Sequence, residues 1–284
     1  MDDQPEIFDQ RRCELGESPL WHPELQTLFW VDILRNAVLW NGQVGIGEAI
    51  FERPVSALAH ANRGDFVMAD DAGLFLWSHI SQDTSPIVAL EADVTSNRAN
   101  DGRADPWGGF WIGTMDREAN GPTGAIYRWF KGDLRRIVDA ITIPNGLCFD
   151  RARNRAYFTD TPTHRIFRVD CDDSGWPISV PRIHIDLGPE SLLVDGAVID
   201  RLGNIRAACW DASVVIAVSP DGELVGRRIM PTQRPTSVVF GSNKEKELFV
   251  TTAAIDLQND LSAGMTLHCK DKIGGFSEPH VIIP

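Results

Sequence analysis

Short hydrophobic runs, each bounded by glycine, proline, aspartate or asparagine, recur along the whole chain and predict β-strands. One unit repeats: an apolar run, a small or acidic break, and a second run in which apolar and polar residues alternate. Its six copies cover residues 28–40, 66–77, 110–129, 156–169, 205–218 and 248–267. The copies begin 38 to 49 residues apart. A period of this length, with several short strands per unit, is typical of propeller blades.

The spacing between the copies leaves room for more strands. Shorter apolar runs lie between them, for example at residues 56–59, 146–149, 197–199 and 237–240, which gives three or four strands per unit. A two-sheet sandwich is the alternative, but a sandwich does not produce six matching hairpins. We therefore predict an all-β fold, a six-bladed β-propeller that forms a single domain over residues 1–284. Ring closure requires the chain ends to share a blade, and we expect that join from the segment before Gly16 and from residues 276–283.

Charge and composition narrow the range of partners. The 284 residues carry a net charge of -13, which argues against nucleic acid and against an anionic membrane surface as the main partner. The N-terminal sequence MDDQPEIF lacks the apolar segment of a signal peptide, and no run of about 18 uncharged apolar residues is present. Five cysteines without C-x-x-C spacing predict buried, reduced thiols rather than disulfides or a zinc knuckle. These features indicate a cytoplasmic protein.

Oxygen-bearing residues stand where the inner strand of several blades is expected to begin. Glu17, Asn145 and Asp195 each lie beside a glycine at the edge of an apolar run. An ordinary turn explains each one separately, but Asn145-Gly146 and Asp195-Gly196 share one form with Asn100-Asp101-Gly102, and the repeat places these three at equivalent positions, where their side chains would converge at one end of the channel. Two carboxylates and a carboxamide are hard oxygen donors, suited to Ca²⁺, Mg²⁺ or Mn²⁺. The sequence therefore predicts a central metal site with coordination positions left for water and substrate.

The densest polar stretch is residues 97–116, NRANDGRADPWGGFWIGTMD. It places Arg98, Asn100 and Asp101 ahead of the apolar run that begins at residue 109. The histidines show neither H-x-H nor H-E-x-x-H spacing, and the chain has no G-x-S-x-G, P-loop or G-x-G-x-x-G motif. We interpret the stretch as the wall of the same site.

Several fragments together resemble the SMP-30/gluconolactonase family. They are residues 15–21 (LGESPLW), 29–33 (FWVDI), 98–102 (RANDG), 113–115 (GTM), 144–146 (PNG), 157–161 (YFTDT) and 195–196 (DG), in the order in which the family has them. The resemblance implies a six-bladed propeller with one divalent cation held by Glu17, Asn145 and Asp195. Oxygen ligation of this kind admits Ca²⁺, Zn²⁺, Mn²⁺, Mg²⁺ or Fe²⁺.

The resemblance also implies a reaction, the hydrolysis of a sugar lactone (an aldonolactone) to the aldonic acid. Asp195 would act as the base as well as a ligand. Arg98 and Asn100 would contact the hydroxyl groups of the substrate, with Glu118 reaching in from the loop that follows residues 113–115. Asp101 is left as a turn residue, because the Asn-Asp-Gly form of its loop is typical of turns.

Two other functions are open at this point. One is a calcium-dependent arylesterase or organophosphate hydrolase, and the other is a non-catalytic calcium-binding propeller. The polar side chains of Arg98 and Asn100 favour a hydroxylated substrate over an apolar one, and a scaffold would not need them beside a metal. Asp211 and Ala212 follow Trp210 where many family members have small residues, so the resemblance does not extend to sugar preference.

Overall fold

The structure is a computed structural model that describes residues 4–242 and 244–284. Within these residues it contains strands, turns and loops but no α-helix, and therefore no helix long and apolar enough to cross a membrane. Three short 3₁₀ turns cover Arg151–Arg153, Thr161–Thr163 and Gly188–Glu190. The chain thus forms its core from β-strands, as the alternating pattern predicts.

The strands form six separate sheets, one for each predicted blade, and within each blade consecutive strands pair antiparallel. After β1 (Glu6–Asp9), the first blade contains β2 (Gly16–His22), β3 (Thr27–Asp32), β4 (Ala37–Gly42) and β5 (Gly45–Ile50). The second contains β6 (Ala57–Ala61), β7 (Phe66–Ala69), β8 (Gly73–Trp77) and β9 (Thr84–Ala89), and the third β10 (Asn97–Ala104), β11 (Phe110–Asp116), β12 (Gly124–Phe130) and β13 (Asp133–Ile141).

The remaining strands complete the other half of the ring. The fourth blade contains β14 (Pro144–Asp150), β15 (Arg155–Asp160), β16 (Arg165–Asp170) and β17 (Arg182–Asp186), and the fifth β18 (Leu193–Ile199), β19 (Ile205–Trp210), β20 (Val214–Val218) and β21 (Leu224–Ile229). The sixth contains β22 (Pro235–Gly241), β23 (Glu247–Thr252) and β24 (Thr266–Lys270), and β25 (His280–Val281) follows it. The first strand of each blade contacts the first strands of the neighbouring blades, so these six inner strands surround the axis. The prediction of a six-bladed propeller is confirmed.

Six hydrophobic clusters hold the blades together, and each draws its residues from two adjacent blades. Trp30 of the first blade, for example, packs in one cluster with Phe249 of the sixth. Both side chains are fully buried, and full burial of one large apolar side chain contributes about 1.5–3 kcal/mol. Because six clusters cover the six interfaces in the described part of the chain, the ring is closed by packing as well as by strand pairing.

The two chain ends behave differently. Strand β1 pairs antiparallel with β24, so the segment before Gly16 supplies the outer strand of the sixth blade, as predicted. The expectation that residues 276–283 join the same blade is wrong. Strand β25 instead pairs parallel with the inner strand β6, where His280 lies opposite His60. The fully buried Val281 anchors this segment in the cluster between the second and third blades.

The C-terminal segment crosses the end of the channel at which the inner strands finish. Arg103, near the end of β10, donates a hydrogen bond to the Glu278 carboxylate at 2.5 Å, and both side chains are buried. A cavity of about 540 Å³ lies beside this ion pair, lined by the ends of β10, β14 and β18. None of the predicted site residues lines it. Those residues lie at the opposite end, where the inner strands begin.

Candidate metal and substrate site

Apart from Glu118, the predicted residues lie within the inner strands, not in the loops before them. Arg98, Asn100 and Asp101 belong to β10, Asn145 to β14 and Asp195 to β18. In five blades the pairing between the inner and second strands shifts at this level: between Glu17 and Leu20, Ala99 and Gly102, Asn145 and Cys148, Val194 and Ala197, and Pro235 and Ser237. Such β-bulges leave residues unpaired and turn their side chains. The regular alternation therefore starts only after these residues, which explains the misplaced strand boundaries.

Glycine follows two of the predicted ligands for different physical reasons. Gly146, after Asn145, has a φ of +64°, a left-handed conformation that glycine adopts without steric cost. Gly196, after Asp195, packs against the neighbouring inner strand so closely that a Cβ atom there would lie 2.0 Å from the Ser237 Oγ. The Asn-Gly pair in the sequence thus marks a bulge, and the Asp-Gly pair marks a close contact between strands.

A line of hydrogen bonds joins the predicted substrate residues to a predicted metal ligand. Arg98 Nη1 donates to Asn100 Oδ1 at 2.9 Å and to the Ala99 carbonyl at 2.9 Å. Asn100 Nδ2 donates in turn to Asn145 Oδ1 at 2.8 Å and to the Pro144 carbonyl at 3.0 Å. Both asparagines are buried. The structure therefore brings Arg98, Asn100 and Asn145 together across the third and fourth blades.

Thr161 completes this line, although no pattern in the sequence predicts its contacts. Asn145 Nδ2 donates to Thr161 Oγ1 at 2.9 Å, and that hydroxyl donates to the Val194 carbonyl at 2.8 Å. Thr161 ends the YFTDT fragment, but nothing in the fragment indicates contact with residues 16 and 33 positions away. Only the pairing of β14 with β15 and the packing of adjacent blades bring these groups together.

The two predicted carboxylate ligands share one electrostatic environment. Burial raises the pKa of Glu17 well above its ordinary value, and the negative charges of Asp195 and Asp101 raise it further. Burial likewise raises the pKa of Asp195 well above its ordinary value, with Asp101 adding to the effect. The positive charge of Arg98 acts in the opposite direction on the pKa of both carboxylates. Glu17 and Asp195 are therefore close enough for one charge to act on the other.

This arrangement suits a divalent cation. Three carboxylates act against one guanidinium, so the site has an excess of negative charge that a cation would offset. Among residues 4–242 and 244–284, no group of three or more His, Cys, Asp or Glu side chains is placed to hold a metal. The predicted set contains only two such side chains, and its third member is the amide oxygen of Asn145, also a hard donor. Glu17, Asn145 and Asp195 could hold such an ion, and this ligand set stays a prediction.

Asp101 is not a turn residue, contrary to the expectation from its sequence. It lies in the bulge of β10, where its Oδ2 accepts a hydrogen bond from the Leu147 backbone N–H of β14 at 2.9 Å. Burial raises the pKa of this carboxyl group. The Asn-Asp-Gly form is typical of turns, but a strand that bulges before a glycine has the same form. Asp101 therefore ties the third blade to the fourth beside the site.

Glu118 lies on the exposed loop between β11 and β12. Its backbone N–H donates to Asp116 Oδ1 at 2.9 Å, which shapes the turn. Burial lowers the pKa of Arg98, and the charge of Arg117, the residue before Glu118, lowers it further. The loop therefore borders the site, while contact between Glu118 and a substrate stays a prediction.

Comparison with known proteins gives one family. The sequence model of the SMP-30/Gluconolactonase/LRE-like region matches residues 15–254. The chain is 35% identical over 282 residues to the "Putative sugar lactone lactonase" of Rhizobium meliloti, a match that covers 96% of this chain and 95% of the relative. It is 32% identical over 255 residues to the pentonolactonase XacC of Haloferax volcanii, covering 89% of this chain and 85% of that protein.

A solved structure agrees with both matches. The crystal structure of a calcium-binding protein, regucalcin, from Agrobacterium tumefaciens superimposes with a TM-score of 0.94 at 30% identity, and the match covers 98% of this chain and 97% of that one. The likeness thus extends from the sequence fragments to the arrangement of all six blades. Because the family model matches most of the chain and relatives exceed 30% identity, this protein belongs to the SMP-30/gluconolactonase/LRE-like family.

Proposed function

We propose that this protein hydrolyses a sugar lactone to the aldonic acid, with a divalent cation held by Glu17, Asn145 and Asp195. The observation that carries the proposal is the hydrogen-bonded line from Arg98 through Asn100 to Asn145, beside two carboxylates of raised pKa. This line combines donors for a hydroxylated substrate with oxygen ligands for a cation. The names of two relatives, a sugar lactone lactonase and a pentonolactonase, support the same class of enzyme, a hydrolase of carboxylic ester bonds.

Asp195 is the proposed base. Its carboxylate is buried at the start of β18, and a carboxylate held in a fixed position can accept a proton from a reacting group. In the reaction, Asp195 takes a proton from the water molecule that attacks the carbonyl carbon of the lactone, and it gives this proton to the ring oxygen when the bond between that oxygen and the carbonyl carbon breaks. Lewis-acid stabilisation of the negative charge that develops on the carbonyl oxygen is the chemistry that a divalent cation supplies when bound.

Arg98 and Asn100 are proposed to orient the substrate, with Glu118 contributing from its loop. Asn100 is held at both ends of its amide, by Arg98 on one side and Asn145 on the other, so its direction is fixed. Arg98 has five N–H groups, and within the described residues Nη1 makes both of its hydrogen bonds. The other N–H groups are left for sugar hydroxyls. Fixing the ring in this way favours the geometry of attack.

The substrate class is tested with chelated enzyme. The protein is stripped of metal, each divalent cation is restored singly, and hydrolysis of gluconolactone, xylonolactone and galactonolactone is compared with hydrolysis of paraoxon. We expect lactone opening that depends on the restored ion. Faster paraoxon hydrolysis would favour the arylesterase alternative, and metal binding without turnover of any lactone would favour the non-catalytic propeller.

The residue roles are tested by substitution. We expect metal-loaded Asp195→Asn to lose about 10²–10⁴-fold in kcat, the usual contribution of a general base. The same change at the exposed Asp173 should leave activity unchanged, which controls for the loss of one negative charge. Asn100→Ala should mainly raise KM. Hydrolysis at the wild-type rate by Asp195→Asn with its metal bound would contradict the role of Asp195 as base.

We also propose that residues 1–284 form one domain and that the protein works in the cytoplasm. The closed ring of blade contacts supports the first proposal. All five cysteines are buried and free, which supports a reducing compartment.

A further inference from the structure

Thr161 joins the strand that carries Asn145 to the strand that carries Asp195. Its hydroxyl accepts a hydrogen bond from Asn145 Nδ2 at 2.9 Å and donates one to the Val194 carbonyl at 2.8 Å. Thr161 is buried, and its own N–H donates to the Ile143 carbonyl at 3.0 Å. This backbone hydrogen bond holds Thr161 against the fourth blade and thereby fixes the position of its hydroxyl.

The direction of these hydrogen bonds fixes the amide of Asn145. A threonine hydroxyl has one proton, and here that proton goes to the Val194 carbonyl. Only lone pairs of Thr161 Oγ1 are then directed at Asn145, so the NH₂ end of the amide must face Thr161. The amide oxygen consequently points the other way, towards Asn100 and the site. A flipped amide would set oxygen against oxygen at Thr161 and present N–H groups to a cation.

The same hydroxyl fixes the start of the bulge that carries Asp195. Val194 pairs regularly with Cys209, and the register shifts immediately after it. Because Asp195 is the next residue, a carbonyl held at Val194 restrains the backbone from which the carboxylate projects. One hydroxyl thus acts on two of the three proposed ligands.

We propose that Thr161 is a positioning residue for the metal site, an inference that rests on the ligand set of the proposed function. Its hydroxyl holds the Asn145 oxygen and the Asp195 bulge in the arrangement that binds the cation. Neighbours that orient metal ligands typically contribute 10–100-fold to metal affinity. We therefore expect removal of this hydroxyl to weaken cation binding by that factor.

The test compares Thr161→Val with Thr159→Val in the full-length protein. Thr159 is the matched control, because its hydroxyl lies two residues away and donates to a backbone carbonyl, that of Arg165, at 2.7 Å without contacting a proposed ligand. Binding of Ca²⁺ and of Mn²⁺ is measured by calorimetry without lactone, and unfolding is measured in parallel. We expect 10–100-fold weaker binding in Thr161→Val, binding close to wild type in Thr159→Val, and recovery of most of the affinity in Thr161→Ser.

The outcomes separate this inference from the proposed function. Equal cation affinity in the two valine variants would overturn the positioning role, whether or not the wild-type protein opens lactones. A second outcome is that the wild-type protein binds the cation, Thr161→Val alone binds it more weakly, and the wild type opens no lactone. That outcome would support the positioning role and refute the proposed function. A wild-type protein that binds neither cation would refute both. Should Thr161→Val fail to fold, Thr161→Cys, which keeps the size but hydrogen-bonds weakly, is judged by the same comparison.

Discussion

Three histidines surround the point where the C-terminal strand joins the ring, and they make the fold sensitive to acid. The ring centroids of His22 and His60 lie 4.8 Å apart, and those of His60 and His280 lie 5.2 Å apart. His60 is 3% exposed, and its Nε2 is 3.0 Å from the Trp21 carbonyl. Burial lowers the pKa of His60 from 6.5 to about 4; the Trp21 carbonyl opposes this, and the charges of His22 and His280 add to it.

The direction of the pH effect follows from that lowered pKa. Above pH 6.5, His60 is neutral in both the folded and the unfolded chain, so it causes no pH dependence. As the pH falls from 6.5 towards 4, the unfolded chain binds a proton that the folded chain does not, and the free energy of unfolding decreases. The difference between 6.5 and about 4 corresponds to about 3 kcal/mol of lost stability at pH values below the folded pKa.

The charged neighbours of His60 contribute in the same region. Burial lowers the pKa of His22; the carboxylate of Glu24 opposes this, while the charges of His79 and His280 add to the lowering. Burial also lowers the pKa of His79, with Asp65 opposing it. The decrease in the free energy of unfolding on acidification thus comes from a cluster of histidines. His60 is the most buried of them, so its replacement should reduce that decrease most.

The assay is urea unfolding at pH 7.5 and pH 4.5, followed by the fluorescence of the nine tryptophans. His60→Gln keeps a donor for the Trp21 carbonyl and removes the titrating group. We expect the wild type to lose about 2–3 kcal/mol more than His60→Gln between the two pH values. His79→Gln, at a half-buried histidine of the same cluster, should give a smaller difference. Equal losses in the wild type and His60→Gln would refute the reasoning.

Two further substitutions test the fold and the site. Asp105→Asn leaves the buried Arg128 charge without its partner, which now lies 2.6 Å away, and should reduce the free energy of unfolding by about 3–5 kcal/mol in urea titrations; a loss below about 1 kcal/mol would contradict this. Gly196→Ala places a methyl group against Ser237 and should weaken both cation binding and lactone hydrolysis. Gly121→Ala is its control, since no atom lies within 4 Å of the added carbon. Equal activity in the two alanine variants would show that the close contact does not matter.

The middle strands of each blade could be predicted from the sequence because their signal is local. The copy at residues 28–40 corresponds to β3 and β4, and the copy at 66–77 corresponds to β7 and β8. These strands are buried on both faces between neighbouring blades, so their residues form clear apolar runs bounded by turn residues. Outer strands such as β13 are largely exposed, with one strand neighbour and solvent on the other side, and they lack that pattern. The pairing partner of β25 could not be predicted for another reason. Its two residue pairs join segments about 220 residues apart, and no local pattern relates segments at that distance.

The repeat and the family resemblance together predict the site, and no single local motif does. Glu17, Asn145 and Asp195 are each explicable as turn residues; the repeat indicates that Asn145 and Asp195 converge, and the resemblance groups all three as ligands. The structure adds the contact between Asn100 and Asn145 and the mutual electrostatic effect of the carboxylates. Such contacts depend on the angle between neighbouring blades, and no short stretch of the sequence predicts that angle.

Two threonine hydroxyls show how contacts between neighbouring blades position the proposed carboxylate ligands. The hydroxyl of Thr161, in the fourth blade, donates to the carbonyl of the residue before Asp195 in the fifth. The hydroxyl of Thr236, in the sixth blade, donates to the carbonyl of the residue before Glu17 in the first, at 2.5 Å. These partners are 33 and 220 residues apart, so no sequence spacing relates the two pairs. Both contacts run from one blade to the next, although Thr161 follows the second strand of its blade and Thr236 lies on the inner strand of its own, because closure makes the sixth blade the neighbour of the first. Both carboxylates therefore depend on the blade before their own, and packing of the sixth blade against the first is a condition for the site as well as for the fold.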